Sequence, residues 1–357
     1  MTTVPPSPTP APVIAVDAMG GDRGPAAVVA GLAKALRGDP DARFLVFGPE
    51  ATLAPLLSRR PALARACAVR EAPRVVAMGD KPAAALRAAE GTSMWAALGA
   101  LAQGEAQAAV SCGNTGALMA MAMLRLRKAP GVDRPAIAVL WPSRGPAGFT
   151  VALDVGADVR AEPEGLAQFA VMGAAYARLA LRLERPRVGL LNVGAEENKG
   201  RPELRAAAER LAAAADAGGY VWSGFVEGGD LFGDRVDVVV TDGFAGNIAL
   251  KAAEGAAAFI GAEMRRAFMR NWATRIAGLV AMGVLSGLKR RIDPRRVNGG
   301  VFLGLGGAVV KSHGGADPTG IAAAVALAAR MAREGFAERV TVQVGRLASA
   351  AAGGSRP

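Results

Sequence analysis

Residues suited to anion chemistry follow the first apolar run of this 357-residue sequence. Residues 13–16 read VIAV, a run rich in β-branched side chains that predicts a buried strand. The loop after it is rich in glycine, and Pro25 favours the first turn of a helix. Such a loop directs the free N–H groups of a helix start toward one spot, where phosphate or another anion can bind. The candidates are Asp17, Gly20, Gly21 and Asp22, and the alternative is a tight turn with solvated carboxylates.

The same order of strand, polar loop and helix returns five more times. The five stretches are AAVSCGNTGALMAMAML, VALDVGADVRAEPEGLAQFA, VGLLNVGAEENKGRPELRAAAERL, VDVVVTDGFAGNIALKAAEG and GAVVKSHGGADPTGIAAAVALAA. Apolar strands that alternate with helices predict parallel βαβ units, whose crossovers place the carboxyl ends of the strands at one edge of the sheet. Ligands of such folds bind at that edge. We therefore expect an α/β fold with a mostly parallel sheet and a site where the polar loops converge.

Two of these loops carry donors that suit an oxyanion. Asn114 and Thr115 precede Gly116 at a predicted helix start, where they either bind phosphate or cap the helix. Lys199 follows Glu196 and Glu197 in a glycine-containing loop. There it either contacts phosphate or an oxyanion, or it forms a surface ion pair. Both loops are therefore candidates for the phosphate site.

Three further loops carry carboxylates, an asparagine and the single histidine. Asp154 follows a predicted strand, and the lack of histidine or regular acidic spacing there argues against a metal site. Asp242 ends a continuous apolar strand, and Asn247 is placed to cap the next helix. His313 follows the run GAVV, precedes two glycines and has Lys311 nearby, which favours an active-site role over a structural one.

The charge balance and the cysteines narrow the class of protein. The 42 basic and 31 acidic residues give a formal net charge of +11, which favours an acidic partner such as nucleic acid, anionic lipid or an acidic protein. Aromatic residues make up 5% of the chain and do not alternate with basic ones, which argues against nucleic acid. Cys67 and Cys112 cannot supply a disulfide framework, so a cytoplasmic location is expected. No motif around Cys112 supports a nucleophile.

The chain ends and the stretch 259–296 depart from the repeated pattern. Residues 1–12 are expected to form a disordered proline-rich tail, residues 347–357 a flexible tail, and residues 13–346 one α/β domain. The stretch 259–296 combines an apolar row of Ile260, Met264, Phe268 and Trp272, an apolar run too short to cross a bilayer, and a dense basic run. It is either a membrane-surface element or a helix pair that packs subunits together.

A series of motifs resembles the phosphate acyltransferase family of bacterial phospholipid synthesis, the PlsX-type proteins. In chain order the motifs are AVDAMGGD, GNTGALM, RPAIAVL, LDVGA, QFAVMGAAYA, PRVGLLNVG, VDVVVTDGFAGN, LKAAEG and KSHG. The resemblance implies a Rossmann-like α/β/α fold akin to isocitrate dehydrogenase and phosphotransacetylase. It also implies transfer of a fatty acyl group from acyl carrier protein to inorganic phosphate. A homodimer that associates peripherally with an anionic membrane surface is a further implication.

The candidate residues fit this reaction, because phosphate is itself a nucleophile and no acyl-enzyme is needed. Lys199 and the loops 20–24 and 114–116 are expected to contact phosphate or the oxyanion. His313 is expected to protonate the leaving thiolate or to orient phosphate. Asp17 and Asp242 are expected to position these cations. No metal, nucleotide or other cofactor is required.

Three positions depart from the pattern of the family, and three other functions compete with this one. Residues 87–94 lack a basic run that relatives often carry, Asp158 replaces a usual asparagine, and Cys112 replaces a usual alanine. A phosphotransacetylase that acts on acyl-CoA is disfavoured by the stretch 259–296. An NAD-dependent decarboxylating dehydrogenase would need a set of metal-binding carboxylates that this sequence does not show. A non-catalytic membrane scaffold would not explain six polar loops.

Overall fold

A computed structural model describes residues 11–196, 199–292 and 299–353. The described residues fall into two compact units, which span Met1–Pro135 with Val297–Ala348 and Ala136–Arg296 with Ser349–Pro357. The single domain expected over 13–346 is therefore divided into two units. Of the expected N-terminal tail, residues 1–10 lie outside the described residues.

Strands and helices alternate along most of the chain. In order they are β1 (Val13–Asp17), α1 (Gly24–Gly38), β2 (Arg43–Gly48), α2 (Glu50–Ser58), α3 (Pro61–Ala66), β3 (Cys67–Glu71), α4 (Pro82–Arg87), α5 (Ser93–Ala102), β4 (Ala108–Ser111), α6 (Thr115–Leu126), β5 (Ala136–Pro142), β6 (Phe149–Leu153), α7 (Pro163–Leu181), β7 (Arg187–Leu191), α8 (Pro202–Gly218), β8 (Val221–Val226), β9 (Val238–Val240), α9 (Gly243–Phe268), α10 (Trp272–Ile292), β10 (Gly300–Leu303), β11 (Ala308–Lys311), α11 (Pro318–Arg333) and α12 (Phe336–Gly353). A short 3-10 helix, Gly228–Phe232, precedes β9. Proline opens α1, as predicted.

The first unit is built on a sheet with the order β3-β2-β1-β4-β11-β10. All neighbours in it are parallel except β10 and β11. In the register of the sheet, Asp17 lies opposite Ser111, and Ser111 lies opposite Lys311. The carboxyl ends of β1, β4 and β11 therefore form one row, from which three polar loops emerge.

The second unit is built on a sheet with the order β5-β6-β9-β7-β8. β5 and β6 form an antiparallel hairpin, while β6, β9, β7 and β8 are parallel. The loops after β6, β7 and β9 carry the polar residues of this unit. Both sheets confirm the predicted α/β class with mostly parallel strands.

Small residues let the helices approach their neighbours closely. Gly31 of α1 faces Ile321 of α11, where a Cβ would lie 2.5 Å from the isoleucine side chain. In the second unit a Cβ on Gly173 of α7 would lie 2.7 Å from Leu153 and 2.8 Å from Val238. Alanine and glycine on these helix faces thus allow dense packing, and larger side chains there would force the elements apart.

The described part of the stretch 259–296 is helical apart from the turn at 269–271, and its first helix already begins at Gly243. α9 and α10 form a helical hairpin in which Phe268 packs against Gly278. Trp272 opens α10, so it does not continue the apolar row of α9; that part of the prediction is wrong, because α9 ends at Phe268. Val280 and Val284 are about four-fifths exposed, at 82% and 78%.

None of the described helices is long and apolar enough to cross a membrane. The basic run begins within the last turn of α10, and its remainder, at 293–298, lies outside the described residues. The expected flexible tail begins inside α12, which continues to Gly353. Phe336, Val340 and Val344 lie one helical turn apart and are buried, which explains why the chain stays helical here.

Candidate active site

Asp17 is the buried centre of the loops at the strand ends of the first unit. Its carboxylate is almost inaccessible and accepts hydrogen bonds from Ser93 Oγ at 2.6 Å and Ser111 Oγ at 2.7 Å. The N–H groups of Met19 and Gly20 donate to the same carboxylate at 3.2 Å. Its direct partners are therefore hydroxyls and amides rather than the expected cations. With four donors in place, Asp17 organises the loop instead of offering a free acceptor to a ligand.

Glycines bring the loops after β1, β4 and β11 into contact. A Cβ on Gly20 would lie 2.6 Å from the nitrogen of Gly113, and one on Gly21 would lie 2.9 Å from the oxygen of Gly314. Gly21 also has a φ of +96°, which favours glycine. The N–H of Asp22 donates to the oxygen of Gly314 at 2.8 Å, and the side chain of Asp22 is exposed. The predicted convergence of loops is confirmed for these three.

Asn114 caps α6, as one of the two predictions for it states. Its Oδ1 accepts the N–H of Ala117 at 2.9 Å, while its Nδ2 donates to the oxygens of Met78 at 2.8 Å and Asp80 at 3.0 Å. The side-chain amide thus has protein partners on both atoms. It ties the loop before α4 over the start of α6 and presents no unused donor to phosphate.

Thr115 and Gly116 form the first turn of α6. The side chain of Thr115 is exposed, and Gly116 is half-buried beside Pro82, whose ring would lie 2.6 Å from an added Cβ. A helix start has N–H groups without helical partners, so the main chain here suits an anion. Anion binding by this loop would therefore use the main chain and the Thr115 hydroxyl.

Lys311 is a buried cation that in the sequence stands out only as a neighbour of His313. It is 6% exposed, and its Nζ donates to the oxygen of Cys112 at 3.5 Å and to that of Ser312. Burial lowers the pKa of Lys311 to about 8, and the charges of Cys112, Asp17 and Asp22 oppose this shift. A lysine at the end of the apolar run AVVK is the sequence signal that marks it.

His313 and Cys112 have contrasting surroundings. His313 is exposed, and its Nδ1 accepts the N–H of Gly315 at 3.2 Å, so a neutral ring carries its proton on Nε2. Cys112 is buried, and burial raises the pKa of its thiol to about 11, although Lys311 lowers it. The thiol is therefore protonated near neutral pH, which agrees with the prediction that it is not a nucleophile.

Lys199 lies in the loop after β7 of the second unit. Its Nζ forms an ion pair with Glu196 at 2.7 Å, and the side chains of Lys199 and Glu196 are 50% and 58% exposed. The hydrogen bond that Lys199 donates to Glu196 raises the pKa of Lys199, so the ammonium stays charged at neutral pH. Asn192 fixes the loop by donating to the oxygen of Lys199 at 3.1 Å. The surface ion pair named as an alternative is therefore present, on a loop anchored by a buried asparagine.

Asp242 and Asn247 hold the start of α9. Asp242 caps this helix through the N–H of Ala245 at 2.8 Å and forms an ion pair with Arg201. Asn247 does not cap the helix, because it lies in its second turn, where its Nδ2 donates to the oxygen of Val155 at 3.0 Å. The cap predicted for Asn247 is thus wrong. Arg201 is a second exposed cation near Lys199 in the chain that sequence reasoning did not select.

Asp154 has no exposed surface and accepts main-chain N–H groups on both oxygens. The donors are Ile137 at 2.8 Å, Gly156 at 3.1 Å, Ala157 at 2.9 Å and Asp158 at 2.6 Å. Burial raises the pKa of this carboxyl, and the four N–H groups oppose the rise. Asp154 therefore shapes the loop after β6 and has no position left for a ligand. In the described residues, no three His, Cys, Asp or Glu side chains are grouped so that they could hold a metal.

Comparison with known proteins identifies the family. A family model described as fatty acid synthesis protein matches residues 13–339. A phosphate acyltransferase of Cereibacter sphaeroides is 60% identical over 342 residues, which cover 96% of this chain and 92% of that protein. A phosphate acyltransferase of Paracoccus denitrificans is 59% identical over 339 residues, covering 95% and 92%. The chain belongs to the phosphate acyltransferase family.

Solved structures of other proteins share the fold of this phosphate acyltransferase family member. A phosphotransacetylase from Streptococcus pyogenes superimposes with a TM-score of 0.60 at 16% identity, covering 91% of this chain and 94% of that one. The EutD phosphotransacetylase from Staphylococcus aureus gives a TM-score of 0.59 at 15% identity, covering 91% and 95%. At such identities the likeness concerns the fold alone, and it confirms the phosphotransacetylase-like architecture that the resemblance implies.

Family membership makes the chain an acyltransferase of fatty acid and phospholipid synthesis, and its candidate residues form two groups. The loops after β1, β4 and β11, with His313, belong to the first unit. Lys199, Asp242, Asn247 and Asp154 belong to the second. Sequence reasoning missed Lys311 and Arg201, which are cations, and the hydroxyls of Ser93 and Ser111, which hold Asp17.

Proposed function

We propose that this phosphate acyltransferase transfers a fatty acyl group from acyl carrier protein to inorganic phosphate and releases acyl phosphate. The observation that carries the proposal is the relationship to phosphate acyltransferases along nearly the full length of both chains. The loops support it, because they present cations and helix starts suited to phosphate and an oxyanion. The buried, protonated Cys112 supports direct attack by phosphate rather than an acyl-cysteine intermediate.

In the proposed reaction a phosphate oxygen attacks the thioester carbonyl carbon. The new C–O bond gives a tetrahedral oxyanion, which collapses as the C–S bond breaks and the electron pair leaves on sulfur. The thiolate then takes up one proton to become the free thiol of the carrier. The protein must hold phosphate beside the thioester, stabilise the oxyanion and supply that proton.

Lys199 and His313 are the side chains that we assign to these tasks. Lys199 is exposed and permanently charged near neutral pH, so it suits contact with phosphate or the oxyanion and not proton abstraction. The ring of His313 is exposed, and in its neutral form Nδ1 accepts the N–H of Gly315 while Nε2–H can donate a hydrogen bond that orients phosphate. As the imidazolium, the ring can give a proton to the leaving sulfur and return to the neutral form. Within the first unit, phosphate contacts are assigned to the main chain of the loops 20–24 and 114–116.

Four other candidates act by holding these loops. Asp242 orients Arg201 and the start of α9, and Asn247 ties α9 to the loop after β6. Asp154 and Asp17 fix their own loops through main-chain N–H groups. We assign these four to positioning, since their polar atoms already have protein partners.

We also propose a cytoplasmic homodimer that binds an anionic membrane surface through the helical hairpin. Trp272, Val280 and Val284 expose large apolar surfaces on it, and Arg266, Arg270 and other arginines lie among them. An exposed apolar surface of this size favours a partner, and arginines beside it favour anionic lipid. Acyl phosphate is the precursor of a lipid, so a membrane position for the enzyme fits the product.

The reaction is tested with purified protein, acyl carrier protein loaded with a fatty acid, phosphate and a chelator. We expect thioester loss that depends on phosphate and matches acyl phosphate trapped as hydroxamate. The same assay with acyl-CoA separates the proposal from a phosphotransacetylase activity, because the proposal requires a strong preference for the carrier protein. Thioester loss that does not change when phosphate is omitted would contradict the proposal.

A further inference from the structure

The end of β11 buries an ammonium group beneath the loops of the first unit. Lys311 is 6% exposed, and the carboxylates that act on its charge, Asp17 and Asp22, form no ion pair with it within the described residues. Its hydrogen-bond acceptors there are two main-chain oxygens, those of Cys112 and Ser312. Burial of a charge without an ion-pair partner is unfavourable, so its retention points to a function.

The position of Lys311 in the sheet relates it to Asp17. The two residues flank Ser111 in one row across the neighbouring strands β1, β4 and β11. Asp17 binds the hydroxyl of Ser111 and holds the loop after β1 through Gly20. A negative and a positive charge therefore lie at the two ends of a three-strand row, at the level where the polar loops begin.

The two acceptors of Lys311 belong to two different loops. Cys112 leads to Asn114 at the start of α6, and Ser312 leads to His313 before α11. We propose that Lys311 is a positioning residue of the acyl-transfer site, whose charged ammonium holds these two loops in the arrangement that the reaction requires. This inference rests on the proposed function. Lys311 is not among the residues assigned there to contact phosphate, the oxyanion or the leaving sulfur.

Lys311 changes its charge in a pH range that ordinary buffers cover. Burial lowers its pKa to about 8, while Cys112 and the carboxylates of Asp17 and Asp22 oppose the shift; His313 is the titratable neighbour on its own loop. A neutral amine is a weaker hydrogen-bond donor than an ammonium. We therefore expect the two hydrogen bonds to the loop oxygens to weaken as the pH rises above about 8, although removal of the buried charge raises the free energy of unfolding of the unit as a whole.

The test compares wild type with Lys311→Arg, Lys311→Met and the control Lys34→Met, which removes an exposed ammonium of the same unit. The measured quantity is kcat/KM for phosphate from pH 6.5 to 9.5. Wild type is expected to lose activity roughly tenfold per pH unit above about 8. Lys311→Arg keeps its charge and should lack this alkaline loss. Lys311→Met should be about 100-fold less active than wild type below pH 8 and should show no alkaline loss of its own. Lys34→Met should behave as wild type.

Hydrogen exchange supplies a readout that does not depend on activity. Peptides over residues 112–117 and 312–316 should exchange faster in Lys311→Met than in wild type, while the peptide over β1 stays protected. If wild type makes no acyl phosphate yet these loops loosen, the proposed function fails and the positioning role within the fold stands. An alkaline loss that persists unchanged in Lys311→Arg, or unchanged loop exchange in Lys311→Met, overturns the inference.

Discussion

The stability of the first unit should increase with pH because of Lys311. In the unfolded chain its pKa is the ordinary 10.5, and in the folded protein burial lowers it to about 8. Between these values the unfolded chain binds more protons, so the free energy of unfolding rises with pH. The difference of about 2.5 between the two pKa values corresponds to a change of about 3 kcal/mol in the free energy of unfolding, at about 1.36 kcal/mol per pKa unit. Between pH 7.5 and 9.5 we expect about 2 kcal/mol of it.

Other groups change stability in the opposite direction, so a difference measurement is needed. Burial raises the pKa of the thiols of Cys67 and Cys112 to about 12 and about 11, from 9.0. Above pH 9 the unfolded chain therefore loses these protons first, and stability falls. Lys311→Met leaves both thiols in place. The free energy of unfolding of wild type minus that of Lys311→Met isolates the contribution of the lysine.

Urea unfolding followed by tryptophan fluorescence measures this difference. Trp95 is the one tryptophan that the sequence places in the first unit, and Arg125 lies 4.7 Å from its ring centre, so its emission reports the unfolding of this unit. The wild-type minus Lys311→Met value should increase by about 2 kcal/mol from pH 7.5 to 9.5. The same difference taken with Lys34→Met should stay flat. A flat result for Lys311→Met as well would show that the ammonium is not desolvated, and the reasoning from burial would be refuted.

Three further outcomes are expected. Lys199→Ala should reduce turnover by about 10²–10³ with little change in thermal unfolding, and Glu196→Gln should retain most activity; an alanine variant with half of the wild-type rate would contradict the assignment. Asn114→Ala removes a helix cap and two hydrogen bonds to the loop before α4, so it should lower the free energy of unfolding by about 1–2 kcal/mol, measured in urea; no change would show that the cap is dispensable. Leu279→Glu places a charge on the exposed helical hairpin and should weaken flotation with anionic vesicles while activity on carrier protein in solution survives; loss of the dimer in sedimentation with unchanged flotation would assign the hairpin to the subunit interface instead.

Local chemistry in the sequence was sufficient for the class of fold and for the start of several elements. Runs of apolar, often β-branched residues predict strands, and the glycine and polar residues that follow them predict loops. The structure has β1, β4, β6, β7, β9 and β11 at those places. Pro25 and Asn114 open their helices as predicted, because these preferences depend on neighbouring main-chain groups alone. The family could likewise be predicted, since its motifs are contiguous stretches of residues.

Partners that are distant along the chain were decided by the tertiary structure. Asn247 was predicted as a cap, yet Asp242 takes that role, and the amide of Asn247 binds the oxygen of Val155, 92 residues away. The carboxylate of Asp17 was expected beside cations, but the sheet register places Ser111 next to it. No pattern within a loop contains this information, because it depends on which strands become neighbours.

The role of Lys311 shows the same division most clearly. The sequence alone determines that a lysine ends an apolar strand and that a polar loop follows it. Only the pairing of β11 with β4 brings its Nζ to the oxygen of Cys112, 199 residues away, in a buried position. Desolvation and charge interactions depend on distance in space, so the pKa and the proposed function of this lysine follow from the tertiary structure.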